Sequence, residues 1–461
     1  MATQIKNSSE TTDSLLISLL RCPKCESTNL LEDKQQSLIN CQSCQQSFPV
    51  FSFGKTNLPV LFSNIPVVIH DWCARINGFS AKIDEETRQL REGLKDKSIT
   101  KLTRERMKRM LNAKKQYKEQ MLDHLKSFST HLANNVAMQS TEVAKNQGVD
   151  SYINNIFRDW CWDNGENEEL FSAIEEVIDD NFSAGLSATL GAGSARLSYD
   201  FHNNYKAEHS ILIDINPVLL GYAKRIFNNE QIKLNEFPIA PMSSLDFNIE
   251  QTFSCEEIVN VNDFTFVLAD ALNAPFESNL FDSVLTPWFI DIVPMDLKDL
   301  IPHVSRLLKI GGTWVNTGSL AFFHGNQQWN YSQEEVLDLL KKFGFDNIKV
   351  SRKKINYLHS PHSAHGRVET VFTFSAIKKF DSIPAKKINY LPEWLENTDL
   401  VIPQQANIMA MSSKYLLQAQ VLSAVDGQRS VSEIGRLLAK QYAMPQEQAI
   451  KAVRQIFIDN L

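Results

Sequence analysis

A chain of 461 residues is long enough for two or three domains with cores of their own, and 43% hydrophobic with 22% charged residues is the balance of an ordinary globular protein. The formal net charge of −7 argues against bulk electrostatic attraction to nucleic acid and leaves room only for a local basic patch. No basic region leads into an apolar run at the start and no stretch of about 18 apolar residues occurs, so the expectation is a cytoplasmic protein with neither signal peptide nor membrane span; seven cysteines, four of them in CxxC pairs, fit a reducing compartment better than a disulfide framework.

Residues 1–12 are polar and read as disordered. In residues 13–62, Cys22-x2-Cys25 and Cys41-x2-Cys44 stand fifteen residues apart, the spacing of a four-cysteine zinc site. Two tight turns would each present a thiolate pair, and the metal would replace a core that so short a segment cannot build. Four thiolates leave no open coordination position, so a structural zinc is expected rather than a redox or catalytic one. With Leu19-Leu20-Arg21 before the first pair and Phe48-Pro49-Val50 after the second, the stretch resembles the small zinc-ribbon proteins that accompany some RNA and protein methyltransferases.

Residues 67–148 read as helical, with no glycine between Gly93 and Gly148. The segment KLTRERMKRMLNAKKQYKEQMLDHL sets basic residues among Leu and Met at helical spacing, which suits a solvated helix with one apolar stripe or, alternatively, a nucleic-acid face. His124 and His131 in this region carry no case for function by themselves.

The stretch around which the chain is organised is residues 186–214. An apolar run enters Gly191-Ala192-Gly193, a helix-like segment follows, and a second apolar run ends on Asp214, which makes one βαβ unit. Glycines there let backbone approach a bound nucleoside, and an acid about 20 residues on is placed for the ribose hydroxyls. Arg196 stands where a dinucleotide fingerprint wants its third glycine, and no Lys-Ser pair follows to hold a triphosphate. S-adenosylmethionine (SAM) fits best; a dinucleotide, or a turn without a ligand, are the alternatives.

Further on, FTFVLADAL gives a strand ending at Asp270, with Ala271 beside it, an acid suited to the adenine amino group. FDSVLTPWFIDI gives the next strand, with Asp291 just past its end, and ligands in open α/β sheets bind at that edge. LKDLIPHVSRLL reads as a helix, GGTWVNTG as a strand, SQEEVLDLLKKFGF as a helix capped by Ser332, and DNIKVSRKK with RVETVFTFSAI as a closing hairpin. The inventory suits an α/β, seven-stranded, Rossmann-like class I methyltransferase sheet with an antiparallel last strand, spanning residues 149–379.

The segment SYINNIFRDWCWDNGENEEL, then GAGSARLSYD, LADAL, PWFIDI and GGTWVNTGSLAFFH resemble, in order and spacing, the carnosine N-methyltransferase family. The resemblance implies that Arg158 reaches the SAM carboxylate, with Asn155 as a neighbouring polar contact where the family more often has glutamine. It implies that Asp291 contacts the acceptor imidazole and that His324 contacts acceptor or assists its proton. Helix capping by Asp291, an ion pair of Arg158 with Glu166 or Glu168, and an ordinary hydrogen-bonded His324 are the structural alternatives. The family encloses its dipeptide with tyrosines around the last two strands; Tyr357 matches the first, whereas the second falls near Arg367 or Val368. Between them His359, His362 and His365 recur at three-residue intervals, as a loop over the site or, less simply, a metal site.

Residues 380–405, with three prolines, read as a linker. Residues 406–461 give three short amphipathic helices around Asp426-Gly427, the second capped by Ser430 or Ser432. They resemble the small winged-helix peptide-binding domains of peptide-modifying enzymes, which implies possible peptide recognition; a helical appendage for packing is the alternative. The expectation is a SAM-dependent N-methyltransferase acting on an imidazole or amine of a small molecule or peptide. An RNA methyltransferase and a non-catalytic zinc- and SAM-binding scaffold are the competing readings.

Overall fold

The computed structural model describes residues 15–132, 148–253, 261–322, 326–386, 401 and 406–458. They belong to two compact units, residues 1–388 and residues 389–461. No helix among the described residues is long and apolar enough to cross a membrane.

The first unit is built on an eleven-stranded sheet. Its middle is the expected α/β core: β5 (Gly185–Leu190), β6 (Ala207–Asp214), β9 (Phe264–Ala269), β10 (Phe281–Pro287), β11 (Leu308–Gly318), β12 (Phe345–Tyr357) and β13 (Arg367–Lys378). These seven lie in the order β9-β6-β5-β10-β11-β13-β12, with the first five parallel and β13 antiparallel to both neighbours. Parallel strands are covered on both faces, which is why β9 reads FTFVLA without alternation and is buried throughout. Chain order reverses at β5, with β6 on one side and β10 on the other, so the C-terminal ends of these strands frame the ligand crevice of an open α/β sheet.

The zinc-ribbon segment is not a separate bead. Its strands β1 (Leu30–Asp33), β2 (Leu38–Cys41), β3 (Ser47–Phe53) and β4 (Thr56–Leu61) pair antiparallel in succession, and β4 then runs parallel to β9, with Val60 opposite Leu268 and Leu61 opposite Ala269. Next come two antiparallel helices, α1 (Ile65–Gly93) and α2 (Lys101–His124), joined by Phe79 against Tyr117, and a short α3 (Lys126–Leu132). The α2 stripe of Ala113, Tyr117 and Met121 is buried, and His124 ends it stacked on Tyr222 at 3.7 Å, where burial depresses its pKa to about 3. His124 is therefore a neutral packing residue; the His131 side chain lies outside the described residues.

Helices α4 (Ile153–Trp160), α5 (Glu166–Glu175), α6 (Arg196–Asn204), α7 (Pro217–Phe227), α8 (Leu297–Leu307) and α9 (Gln333–Lys342) complete the unit. Asn216 caps α7 through Val218 N, and Ser332 with Glu335 forms the capping box that starts α9. Between α7 and β9 a hairpin of β7 (Ile232–Glu236) and β8 (Ile249–Phe253) stands outside the main sheet. The second unit has α10 (Ala406–Ser423), α11 (Val431–Gln441) and α12 (Gln446–Ile458), held by Val421, Ile434, Leu438, Ala449 and Val453. Ser430, not Ser432, caps α11, in a box with Glu433, and no strand occurs among the described residues of this unit.

Candidate active site and zinc site

The glycine turn follows β5 directly. Gly191 and Gly193 take φ of +73° and +56°, conformations L side chains rarely adopt, and a Cβ on Gly191 would lie 2.8 Å from Phe289 Cδ2. The turn is fastened to β6, since Gly191 N and Ala192 N both donate to Ile213 O, at 2.9 and 3.0 Å. Gly193 N donates to Asp214 Oδ2 and Asn216 N to Asp214 Oδ1, each at 2.7 Å. Burial pushes the Asp214 carboxyl upward, while these backbone donors work the other way and hold both oxygens at the mouth of the turn. A carboxylate so fixed has lone pairs left for the two hydroxyls of a ribose.

Asp270 ends the neighbouring strand, two residues beyond the Asp214–Leu268 pair. It caps a 3-10 turn over Ala271–Asn273, with Leu272 N on Oδ1 at 2.9 Å and Asn273 Nδ2 on Oδ2 at 3.1 Å. Ala271 is buried beside it. Both acids therefore stand at the C-terminal edge of adjacent strands.

Helix α4 packs against the glycine turn from the other side. Ser194 Oγ donates to Asp159 Oδ2 and to Asn155 O, and Trp160 Nε1 donates to Ser194 O at 2.8 Å. Arg158 is buried, its Nε donating to Asp159 at 2.7 Å and its amino group 3.8 Å from Glu166. Burial opposes its charge, and the Asp159 carboxylate more than compensates. The ion-pair alternative for Arg158 is thus present in the structure, with Glu166 and not Glu168 as the second acid. Asn155 Oδ1 is buried with no hydrogen-bond partner among the described residues.

Beside the glycine turn, at the end of β10, Trp288 takes φ +48° and donates its backbone N–H to Thr317 O at 2.7 Å. Such a conformation in an aromatic residue needs outside support. It comes from Gly318, whose missing side chain leaves room for a backbone that a Cβ would meet at 2.9 Å. The bend carries Asp291 into a buried position four residues past the strand. Ser319 Oγ donates to Asp291 Oδ2, while Oδ1 is buried without a hydrogen-bond partner among the described residues, as is Trp288 Nε1. Asp291 caps no helix; that role belongs to Asp296 at the start of α8. Burial pushes the Asp291 carboxyl upward, against the Ser319 hydrogen bond. Tyr357, at the end of β12, lies 4.4 Å from Trp288. His324 falls outside the described residues.

Three further residues of this region lie inside the family-like segments without a role that the resemblance implies. Tyr152, just ahead of α4, is half-buried; burial raises its pKa, and the charges of Asp214 and Asp291 add to that against the opposing charge of Arg75. Ser319 and Trp288 are site residues only through the bend at β10. The 358–366 loop is fastened to the segment after β7: Ser363 Oγ donates to Ile239 O, Ala364 N to Ala240 O at 3.0 Å, and His362 pairs with Asp246 at 3.5 Å. Its three histidines do not converge with other ligands; among the described residues only the four cysteines make a metal-competent group.

Those cysteines meet closely, with all four Sγ atoms within 4.8 Å of one another. Cys22–Cys44 and Cys25–Cys41 are 3.7 and 3.6 Å apart, against about 3.8 Å for thiolates tetrahedral on zinc at about 2.3 Å. Two matching turns present them, with Glu26 N on Cys22 O and Gln45 N on Cys41 O, both turn residues at positive φ. The set suits a structural zinc and leaves no open position.

The model of the carnosine N-methyltransferase family matches residues 197–379. A carnosine N-methyltransferase of Dictyostelium discoideum is 30% identical over 143 residues, 26% of this chain and 30% of that protein, so the chain spans less than a third of its relative's length. Among solved structures, a possible histamine N-methyltransferase from Thermotoga maritima gives a TM-score of 0.32 at 17% identity, covering 50% of this chain and 98% of that one. A Haemonchus contortus phosphoethanolamine N-methyltransferase 2 in complex with SAM gives 0.34 at 14%, covering 52% and 59%. The family match takes in Asp214, Asp270, Asp291 and Tyr357, and stops short of the glycine turn and α4. Over residues 197–379 this chain is thus similar to the carnosine N-methyltransferase family.

Proposed function

We propose that the chain is a SAM-dependent N-methyltransferase whose acceptor is an imidazole, or an amine, of a small molecule or peptide. The observation that carries this reading is Asp291: a buried carboxylate past the end of β10, one oxygen held by Ser319 and the other left for a ligand's N–H. The cofactor side fits SAM through the side-chain-free turn at Gly191, the acids Asp214 and Asp270, and the unpartnered Asn155 Oδ1. SAM, when bound, supplies a methyl group already activated by its sulfonium, so the protein has only to align a nucleophile and deal with its proton.

Asp291 would do both. Accepting a hydrogen bond from one ring N–H fixes a neutral imidazole with its other nitrogen, the one holding the lone pair, toward the methyl group. As that nitrogen forms its bond to carbon the ring becomes cationic, and the carboxylate stabilises it and takes the proton. Trp288 and Tyr357 wall the acceptor side and keep water away from the nucleophile.

A small acceptor is favoured over RNA because the basic helix spends its charge internally. Lys114 pairs with Glu86 at 2.9 Å and Lys118 with Asp84 at 2.7 Å, Arg109 donates to Ser244 O, and Arg106 lies over Phe247 at 4.2 Å. Incubating the protein with methyl-labelled SAM and histamine, histidine or carnosine tests the proposal. Label should reach a ring or amine nitrogen, and Asp291→Asn should bind SAM as before while turning over about tenfold more slowly or worse. SAM binding without transfer to any such acceptor would refute it.

A further inference from the structure

Arg367 opens β13 directly opposite Tyr357, the last residue of β12. Side chains alternate along a strand, so Arg367 and Glu369 share the face of Tyr357 and Val368 points away, which agrees with the 62% exposure of Val368. The Arg367 guanidinium lies over the Tyr357 ring at 4.4 Å, and its Nε is 2.8 Å from Glu369 Oε1. Ring and carboxylate together fix the plane of the guanidinium, and its two terminal amino groups have no hydrogen-bond partner among the described residues. The side chain is 60% exposed. Tyr357 in turn touches Trp288, three residues before Asp291, and the Glu369 charge is felt at Asp291. The contacts Arg367–Tyr357 and Tyr357–Trp288 thus lead from an oriented cationic fork to the bend that carries Asp291. Arg158, the other guanidinium near Tyr357, is buried and paired with Asp159 and Glu166.

Resting on the reading of Asp291 as the imidazole-holding acid, we infer that Arg367 is a specificity residue that binds a carboxylate on the acceptor, so that the preferred substrates are imidazoles bearing a free carboxylate, amino-acid or peptide-like, rather than their decarboxylated amines. A guanidinium with one edge held by Glu369 offers the other to a carboxylate bidentately and without reorganisation. A tyrosine at this position could give a single neutral hydrogen bond; the arginine adds charge.

The test compares two pairs of probes, carnosine with β-alanylhistamine and histidine with histamine, in wild type, Arg367→Gln and Arg367→Lys. Binding is titrated in the presence of S-adenosylhomocysteine, and turnover is followed separately. The wild type should bind the carboxylate member of each pair at least about tenfold more tightly, with a preference that weakens as salt rises. Arg367→Gln should raise Kd and KM for the carboxylate members by that factor, leave the decarboxylated members and kcat within about threefold, and abolish the salt dependence; Arg367→Lys should restore part of it. Equal affinities within each pair, or an unchanged preference in Arg367→Gln, would overturn the inference whatever the turnover. Selective binding that depends on Arg367 without methyl transfer would uphold it while sinking the reaction proposed for the site.

Discussion

The glycine turn meets the bend that carries Asp291 through one steric contact, with Phe289, and Gly191→Ala measures it. An alanine at φ +73° pays about 1–2 kcal/mol in backbone strain. Its Cβ would also press to 2.8 Å from the ring of Phe289, a residue only 8% exposed with little room to retreat, which adds about 1–3 kcal/mol of overpacking. The total loss of stability should be about 2–5 kcal/mol, read from the denaturant midpoint at constant slope. Because Phe289 precedes Asp291 by two residues on the same bend, relief of the clash displaces the acceptor acid, and turnover should fall along with SAM affinity. A double-mutant cycle separates the parts: in a Phe289→Ala background the alanine should cost only the backbone share, about 1–2 kcal/mol. A cost under about 0.5 kcal/mol in the wild type, or the same cost in both backgrounds, would show that the ring does not set the shape of the turn.

Other consequences concern Asp291 and the zinc. Ser319→Ala removes the donor that opposes the upward push of burial on Asp291, so the acid limb of kcat/KM should move to higher pH; a pH–rate profile with an unmoved limb rejects that hydrogen bond. A carboxyl whose pKa is raised on folding favours the folded state below its unfolded pKa, about 3.9, and loses that contribution as pH rises through the folded value. The melting temperature of Asp291→Asn relative to wild type should therefore increase from pH 4 to pH 7, and a constant difference would contradict the burial. Metal analysis should find one zinc per chain, and its removal by chelator should lower the melting temperature by more than about 10 °C, since structural zinc contributes about 10–16 kcal/mol where whole domains hold about 5–15.

What was legible in the sequence is what local chemistry dictates. The turn at residues 191–193 could be read because two positive φ values call for glycine, and β9 because burial on both faces leaves Thr265 as the one polar residue in the strand. Ser332 could be read as a cap, whereas Ser430 and Ser432 stood as alternatives until the capping box with Glu433 placed the cap at Ser430. What escaped depends on distant partners. Nothing in DSVLTPWFIDI announces that Trp288 is left-handed, because the permission comes from Gly318 thirty residues away. Tyr152 feels the charges of Asp214 and Asp291 only once the chain has folded, since they lie far apart from it in sequence. That Arg367 and not Val368 stands opposite Tyr357 is a matter of register that a lone sequence leaves open.

The largest feature beyond sequence reading is the fusion of the ribbon to the core, and it has a physical reason. Without β4, strand β9 would be the bare edge of the parallel core, with its backbone donors and acceptors unpaired. The ribbon covers that edge, and it does so on both sides of the loop that carries Asp270. Leu61 pairs with Ala269 just before the acid; Arg21 N donates to Pro275 O at 2.8 Å just after it, with Leu20 bridged to Phe276. From behind, Arg306 holds the carbonyls of Ala274 and Phe276 at 2.9 and 2.7 Å. Two of these ties, Leu20 and Arg21, immediately precede the first zinc cysteine, and β4 follows the second knuckle within the same small sheet. Loss of the metal would therefore free the loop that carries Asp270 as well as the ribbon, so SAM affinity should fall with zinc content.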